Sequence, residues 1–197
     1  MVNGNLPTSL DGVSVTIDGQ PAFVYYISAT QINVQAPSDG AVGPVNVVVN
    51  NNGNISAPAT AQLQAVAPAF FTYPGTNYAV ASRLPDWAPL GDPSAIPGAV
   101  AAKAGDTVVL WGTGFGATDP AVPAGTAVKG VPAVVTAPTV TVGGVPVQVI
   151  GAVLTAGSAG LYQVTIQLPA TVPSGAVGVQ ASAGGVPAQA GVLLFCQ

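Results

Sequence analysis

The chain has 197 residues, a formal net charge of −4, 5% charged and 49% hydrophobic residues, with 25 Gly and 19 Pro. Disorder needs the opposite balance of charge and hydrophobicity, a helical bundle needs uninterrupted helix formers where this chain has no Glu and frequent Pro, and nucleic-acid binding needs a basic face that three Lys and Arg cannot build. With no His, no Glu and one Cys, His-based triads, thiolate metal clusters and Glu acid–base pairs are also excluded, so no catalytic, cofactor-binding or metal-binding residue is expected.

No apolar run approaches the ~18 residues of a membrane helix. The start, Met1 to Asn5, has no basic region followed by an apolar one and reads without a signal peptide, as a mature or trimmed chain also would. In chain order, Val13 to Ile17 alternates as a strand and Asp18-Gly19 supplies a tight turn. Phe23 to Ile27, Gln31 to Gln35 and Val45 to Val49 read as further strands. Asn50 to Gly53 is a turn, and Ile55 to Val66 is a strand interrupted by Pro58, which points to a sheet edge.

The second half repeats the first. Thr139 to Pro146 echoes Ser14 to Pro21 at an offset of 125, and Tyr162 to Pro169 echoes Thr30 to Pro37 at 132. A seven-residue insertion is therefore expected around Thr155 to Gly160. The later offset places Val45 on Val177 and Leu63 on Phe195. Thr107 to Trp111 opens the second copy as a strand with no counterpart in the first, so the first copy is expected to lack its opening strand.

The expected fold is all-β: two tandem immunoglobulin-like β-sandwiches at 1–71 and 104–197, joined by a Pro-rich aromatic connector at 72–103. A connector of that length straps domains together or carries function. Tyr73, Tyr78 and Trp87 on it form a candidate ligand patch, with partly buried Trp87 and Tyr78 expected to fix the angle between the sandwiches.

The strings L-P-T-S-L-D-G-V-S-V-T-I-D-G, A-T-Q-I-N-V-Q-A-P, W-G-T-G-F-G and L-Y-Q-V-T-I-Q-L-P occur in this order. Through them the chain resembles the C-terminal Ig-like repeat domain of Solibacter-type acidobacterial secreted proteins. The W-G-T-G-F-G turn of the second copy also resembles that of IPT/TIG domains. The resemblance implies Ig-like sandwiches in exported proteins and no enzyme activity. Members carry an opening strand ending in F-G-T-N-L, from which this chain departs.

Gly112 to Ala117 fits G-x-G-x-x-A, the pattern of a dinucleotide loop, but Thr118 to Pro123 cannot propagate the helix such a loop needs. These glycines read instead as a turn, with Phe115 packed inward. Asp11, Asp18 and Asp39 precede Gly, as turns require, and no calcium-loop spacing exists. Gln31, Asn33, Gln35, Gln163, Thr165 and Gln167 line strand faces, which suits either solvent or another subunit or polysaccharide. Asn54-Ile55-Ser56 matches a glycosylation acceptor, which carries no weight if the source is bacterial, as the resemblance implies. Cys196 reads as a small hydrophobe in the last strand, not as a nucleophile, and Cys196→Ser is expected to leave folding nearly intact.

These readings favour a non-enzymatic structural module, extracellular or at the cell surface. Its expected partner is itself, as a homo-oligomer or fibre, through a strand donated to the open edge of the first sandwich. The candidate donors are Val192, Leu193, Leu194 and Phe195, or Met1 to Leu10. The other reading is an adhesion or polysaccharide-binding module. Neither nucleic acid nor a membrane span enters either reading.

Overall fold

The computed structural model describes residues 4–38, 40 and 42–197. The Asp39 turn and the Met1–Asn3 part of the candidate donor segment lie outside the described residues. Every described element is a strand, turn or bend.

The chain packs as two compact units. The first combines residues 1–65 with two excursions, 121–131 and 155–160, and the second holds 66–120, 132–154 and 161–197. The stretch 72–103, expected as a connector, lies inside the second unit and gives it strands. The reason is chemical: A-S-R-L can pair as a strand, and it does so on one side with four residues of Thr107–Thr113 and on the other with Pro89–Leu90.

In the first unit the longer strands are β1 (Val13–Ile17), β2 (Phe23–Ile27), β3 (Ile32–Gln35), β4 (Gly43–Asn51) and β5 (Ala59–Leu63). One layer is β1–β4–β5 and the other is the β2–β3 pair. The Asp18-Gly19 turn has both residues at positive φ, 51° and 74°, the geometry that Asp-Gly favours in two-residue hairpins. Pro58 falls between Asn54–Ile55 and β5, and among the described residues β5 pairs with β4 alone, as expected of an edge. The core is Val15, Ile17, Ala22 and Val45, with Ile32, Val34, Val47 and Val49 only partly buried against it.

The second unit contains β6 (Ala81–Leu84), β7 (Thr107–Thr113), β8 (Thr139–Val142), β9 (Val145–Leu154), β10 (Tyr162–Gln167), β11 (Gly175–Ala183) and β12 (Leu193–Cys196). One layer runs β6–β7–β10–β9 and the other β8–β11–β12. Period-two alternation sends Tyr162, Val164 and Ile166 inward, where all are buried, and leaves Gln163, Thr165 and Gln167 on the other face.

Strand register demonstrates the duplication directly. Val15 pairs with Val49 as Val140 pairs with Ala181, and Val24 pairs with Val34 as Val149 pairs with Ile166. Both copies place a bulge at the same point, between Val24 and Tyr26 and between Val149 and Gly151. A bulge repeated in register is a designed bend, since it unpairs one residue and twists the strand locally. One expected equivalence shifts: Leu63 pairs with Gly43 where Cys196 pairs with Gly175, so Leu63 corresponds to Cys196 and not to Phe195. One extra residue before β12 accounts for it.

Candidate functional site

The expected patch Tyr73, Tyr78 and Trp87 divides into two groups. The backbone N–H of Tyr73 donates to the carbonyl of Tyr78 at 3.0 Å, so these two sit on adjoining turns of the second unit. Tyr78 meets Phe195 edge-on, with ring centres 6.1 Å apart. Burial, and then the neighbouring Asp92, raises its phenol pKa. Trp87 pairs instead with Trp111, at 6.3 Å and 40° between planes. It was expected to be partly buried against a domain face, yet it is 52% exposed.

The turn that presents Trp87 is held by charge. Arg83 donates from Nε and Nη2 to the two carboxylate oxygens of Asp86, at 3.2 and 2.6 Å. The Arg83 guanidinium holds the Asp86 carboxyl below its ordinary range. Trp87 itself lies at φ 57°, a left-handed conformation uncommon for a bulky side chain. Beneath it, Trp111 donates its indole N–H to Ser82 Oγ at 3.3 Å and stands opposite Gln163 in the β7–β10 register. Directly opposed residues of antiparallel strands share a face, so Trp111, Gln163 and the exposed Trp87 form one aromatic–amide surface. Trp111 was read from the sequence only as a strand residue, and its spacing gave no sign that Trp87 would cover it. Tyr25 and Tyr26 on β2 are also exposed, at 60% and 47%, and sequence reasoning did not single them out.

The expected polar rows are partly tied down by their own units. Gln31 Nε2 donates to Asn33 Oδ1, Gln35 Oε1 accepts from the Gly125 N–H, and Thr107 donates to Gln167 Oε1. Gln163 and Thr165 remain partly open on their face.

Val192 to Phe195 are not a free donor segment. Val192 and Leu194 are buried, and β12 is hydrogen-bonded along one edge to β11 and along the other to Ala79 and Ala102. A segment with both edges satisfied inside its own unit cannot extend to a neighbour without unfolding. Residues of the Met1–Leu10 segment are likewise used at home: Leu6 is buried and donates to Gly125, and Ser9–Leu10 pairs with β1.

The G-x-G-x-x-A turn is structural. Phe115 is buried between Phe70 and Tyr162, with ring centres at 5.4 and 5.9 Å. Gly114 lies at φ 74°, and a Cβ there would stand 2.0 Å from the Ala67 carbonyl oxygen. The short strand Thr118–Asp119 follows where a dinucleotide loop needs a helix. Cys196 is 1% exposed, and burial, with Asp106 secondary, pushes its thiol up to about 11. A thiol so disposed is neutral and enclosed near pH 7, unlike a nucleophile. Among the described residues no group of three or more Cys or Asp is placed to hold a metal.

Two β-sandwiches of matching register, with short antiparallel strands and tight turns, define an immunoglobulin-like architecture. Residues 4–73 match the IPT/TIG domain family, so an Ig-like module of that family opens the chain. The match falls on the first copy, and the W-G-T-G-F-G turn lies outside it. No curated protein and no solved structure matches the chain. The likeness to acidobacterial secreted proteins therefore rests on the quoted strings alone.

Proposed function

We propose that the chain is a non-enzymatic structural module of an extracellular or cell-surface assembly. The observation that carries this reading is the register-level duplication of an Ig-like sandwich in a chain with only ten charged residues. A soluble monomer normally covers roughly a quarter or more of its surface with charge. A face of amides, hydroxyls and small apolar groups instead packs against neighbours with little repulsion and little desolvation cost. The fibre form of the reading, with Val192 to Phe195 as donor, is not retained because β12 is paired on both edges. Antibodies raised against the purified chain test the reading. Labelling of intact producing cells, or of their surface extract in electron micrographs, is expected. Labelling confined to permeabilised cells would overturn it.

A second reading, polysaccharide adhesion, is favoured by one observation: the exposed Trp87 packed at a tilt against Trp111 beside Gln163. Sugar rings stack on such aromatic faces while uncharged amides bind their hydroxyls. Co-sedimentation with insoluble cellulose or chitin that disappears in Trp87→Ala would support it. Equal sedimentation of both proteins would remove it.

A further inference from the structure

We propose that the second unit holds an uncharged β-1,4-linked glycan chain in a depression on the outward face of its β6–β7–β10–β9 layer, floored by Thr165 and Gly151 and walled at one end by the Trp87–Trp111 pair. This rests on the adhesion reading, and names the ligand class and the residues that select it.

Strand register builds the depression. Val164 and Ile166 point inward, so Gln163, Thr165 and Gln167 stand on the outward face. Directly opposed residues share that face, and they form rows across the strands. One row runs Trp111, Gln163, Val153, and the next runs Val109, Thr165, Gly151. Beyond it Gln167 stands opposite Gln148. The middle row carries the smallest groups and ends in a residue with no side chain. The rows on either side of it lie about 7 Å away along the strands, so a dip one hexopyranose ring wide runs between them. At the β7 end the dip is closed. Trp111 reaches toward β6 and donates its indole N–H to Ser82 Oγ at 3.3 Å, and Ser82 stands opposite Val109. Val109 is 1% exposed although its register places it on the outward face, so the indole lies over it. Thr165 and Gly151 remain as the open floor, and the half-exposed Trp87, packed against Trp111, stands at its end.

The internal repeat shows that the dip belongs to the second copy alone. Gly151 follows the β9 bulge and faces Thr165, where in the first copy Tyr26 follows the same bulge and faces Asn33. A tyrosine thus stands in the first unit where the second has no side chain. The backbone does not require that glycine. Its φ lies outside the left-handed region, and a Cβ there would meet nothing within 4 Å. A strand glycine that neither the bulge nor the packing demands marks a place where a ligand comes close to the sheet.

The chemistry of the face selects the occupant. On the four strands only Arg83 is charged, and it is already bonded to Asp86. The face offers an indole, a hydroxyl and primary amides, with no counter-charge for an ionic ligand. A sugar with equatorial hydroxyls lays a flat C–H face on the indole and turns its hydroxyls sideways to the amides. A β-1,4 linkage keeps successive rings in an extended chain that follows the row across the strands, whereas an α-1,4 chain curls away from it. β10 is paired on both edges, so a peptide gains no main-chain bonds to it here.

Both tryptophans of the chain stand at this site, so their emission reports it. Titration of the purified chain with cellohexaose should give a saturable change in tryptophan emission, and maltohexaose should bind at least about tenfold more weakly. Gly151→Leu fills the floor and leaves both indoles in place. It should bind cellohexaose at least about tenfold more weakly, with no lower thermal midpoint. Thr165→Val removes one hydroxyl at nearly constant shape and should weaken binding about three- to tenfold. Full binding by a folded Gly151→Leu chain would overturn the proposal, as would equal binding of the two hexaoses or the absence of any saturable change. An emission change that follows protein concentration without glycan would give the face to a second copy and overturn it too. Loss of cellulose co-sedimentation in Trp87→Ala, together with full binding by Gly151→Leu, would leave the adhesion reading standing and remove this depression alone.

Discussion

The backbone N–H of Gly125 donates to Oε1 of Gln35 at 2.9 Å, across 90 residues of sequence. Both belong to the first unit, although Gly125 sits in a segment that interrupts the second copy. Around it, Gly125 accepts from the Leu6 N–H, Ala127 donates to Gly4, and Val128 exchanges backbone bonds with Gly157 and Ser158. The 155–160 insertion thus serves the first unit. Gly125 has φ 76°, and a Cβ there would lie 2.2 Å from Phe23 Cδ1.

Gln35→Ala should destabilise the first unit by about 1–3 kcal/mol, since a buried backbone N–H loses its acceptor. Gly125→Ala should cost more, because it adds a clash and an unfavourable φ to the same site. Urea unfolding followed at the tyrosines of β2 measures both. A smaller effect for Gly125→Ala than for Gln35→Ala would contradict the packing described.

The first unit should unfold before the second. Its strand β4 holds partly exposed Val47 and Val49 where the second unit's equivalents are buried, and local stability follows buried apolar contact. Amide exchange should be faster in β1 and β4 than in β8 and β11. Equal protection would contradict the weaker packing of the first unit's core.

Gly114→Ala should be severe, about 3 kcal/mol or more, because the added Cβ meets a backbone oxygen at positive φ. Thermal unfolding of the second unit reads this. A neutral result would reopen the glycine turn as a functional loop.

Trp87→Ala should cost about 1 kcal/mol or less, the scale of one exposed aromatic pair. This is below the roughly 2–4 kcal/mol appropriate to a buried ring, because the ring is 52% exposed. Denaturant titration with Trp111 as the remaining fluorophore checks it.

Cys196 should resist an aromatic disulfide reagent at pH 8 until the chain unfolds. Its thiol is raised from 9.0 to about 11 by burial. A folded pKa above the unfolded one stabilises while the group is protonated, so this contribution is whole below pH 9 and lost as pH rises toward about 11. Cys196→Ser places a hydroxyl in that enclosed position and should cost about 1–2 kcal/mol, more than the near-neutral effect the sequence suggested. Stability measured from pH 7 to 11 in the wild type and in Cys196→Ala tests the sign, since the difference between the two curves isolates the thiol from the buried tyrosines that titrate in the same range.

The strands, their turns and the duplication were legible in the residues. Period-two alternation in V-S-V-T-I and Y-Q-V-T-I-Q and the Asp18-Gly19 and Asn52-Gly53 turns are local, and local backbone preferences act over a few positions. Only the tertiary structure decided which unit owns 121–131 and 155–160, that 72–103 supplies the strand β6 beside β7, that Trp87 packs against Trp111, and that both edges of β12 are filled. Those outcomes depend on which distant backbone groups find partners and which apolar faces meet. Burial and hydrogen-bond satisfaction are properties of the whole packed chain, and spacing along the sequence does not encode them.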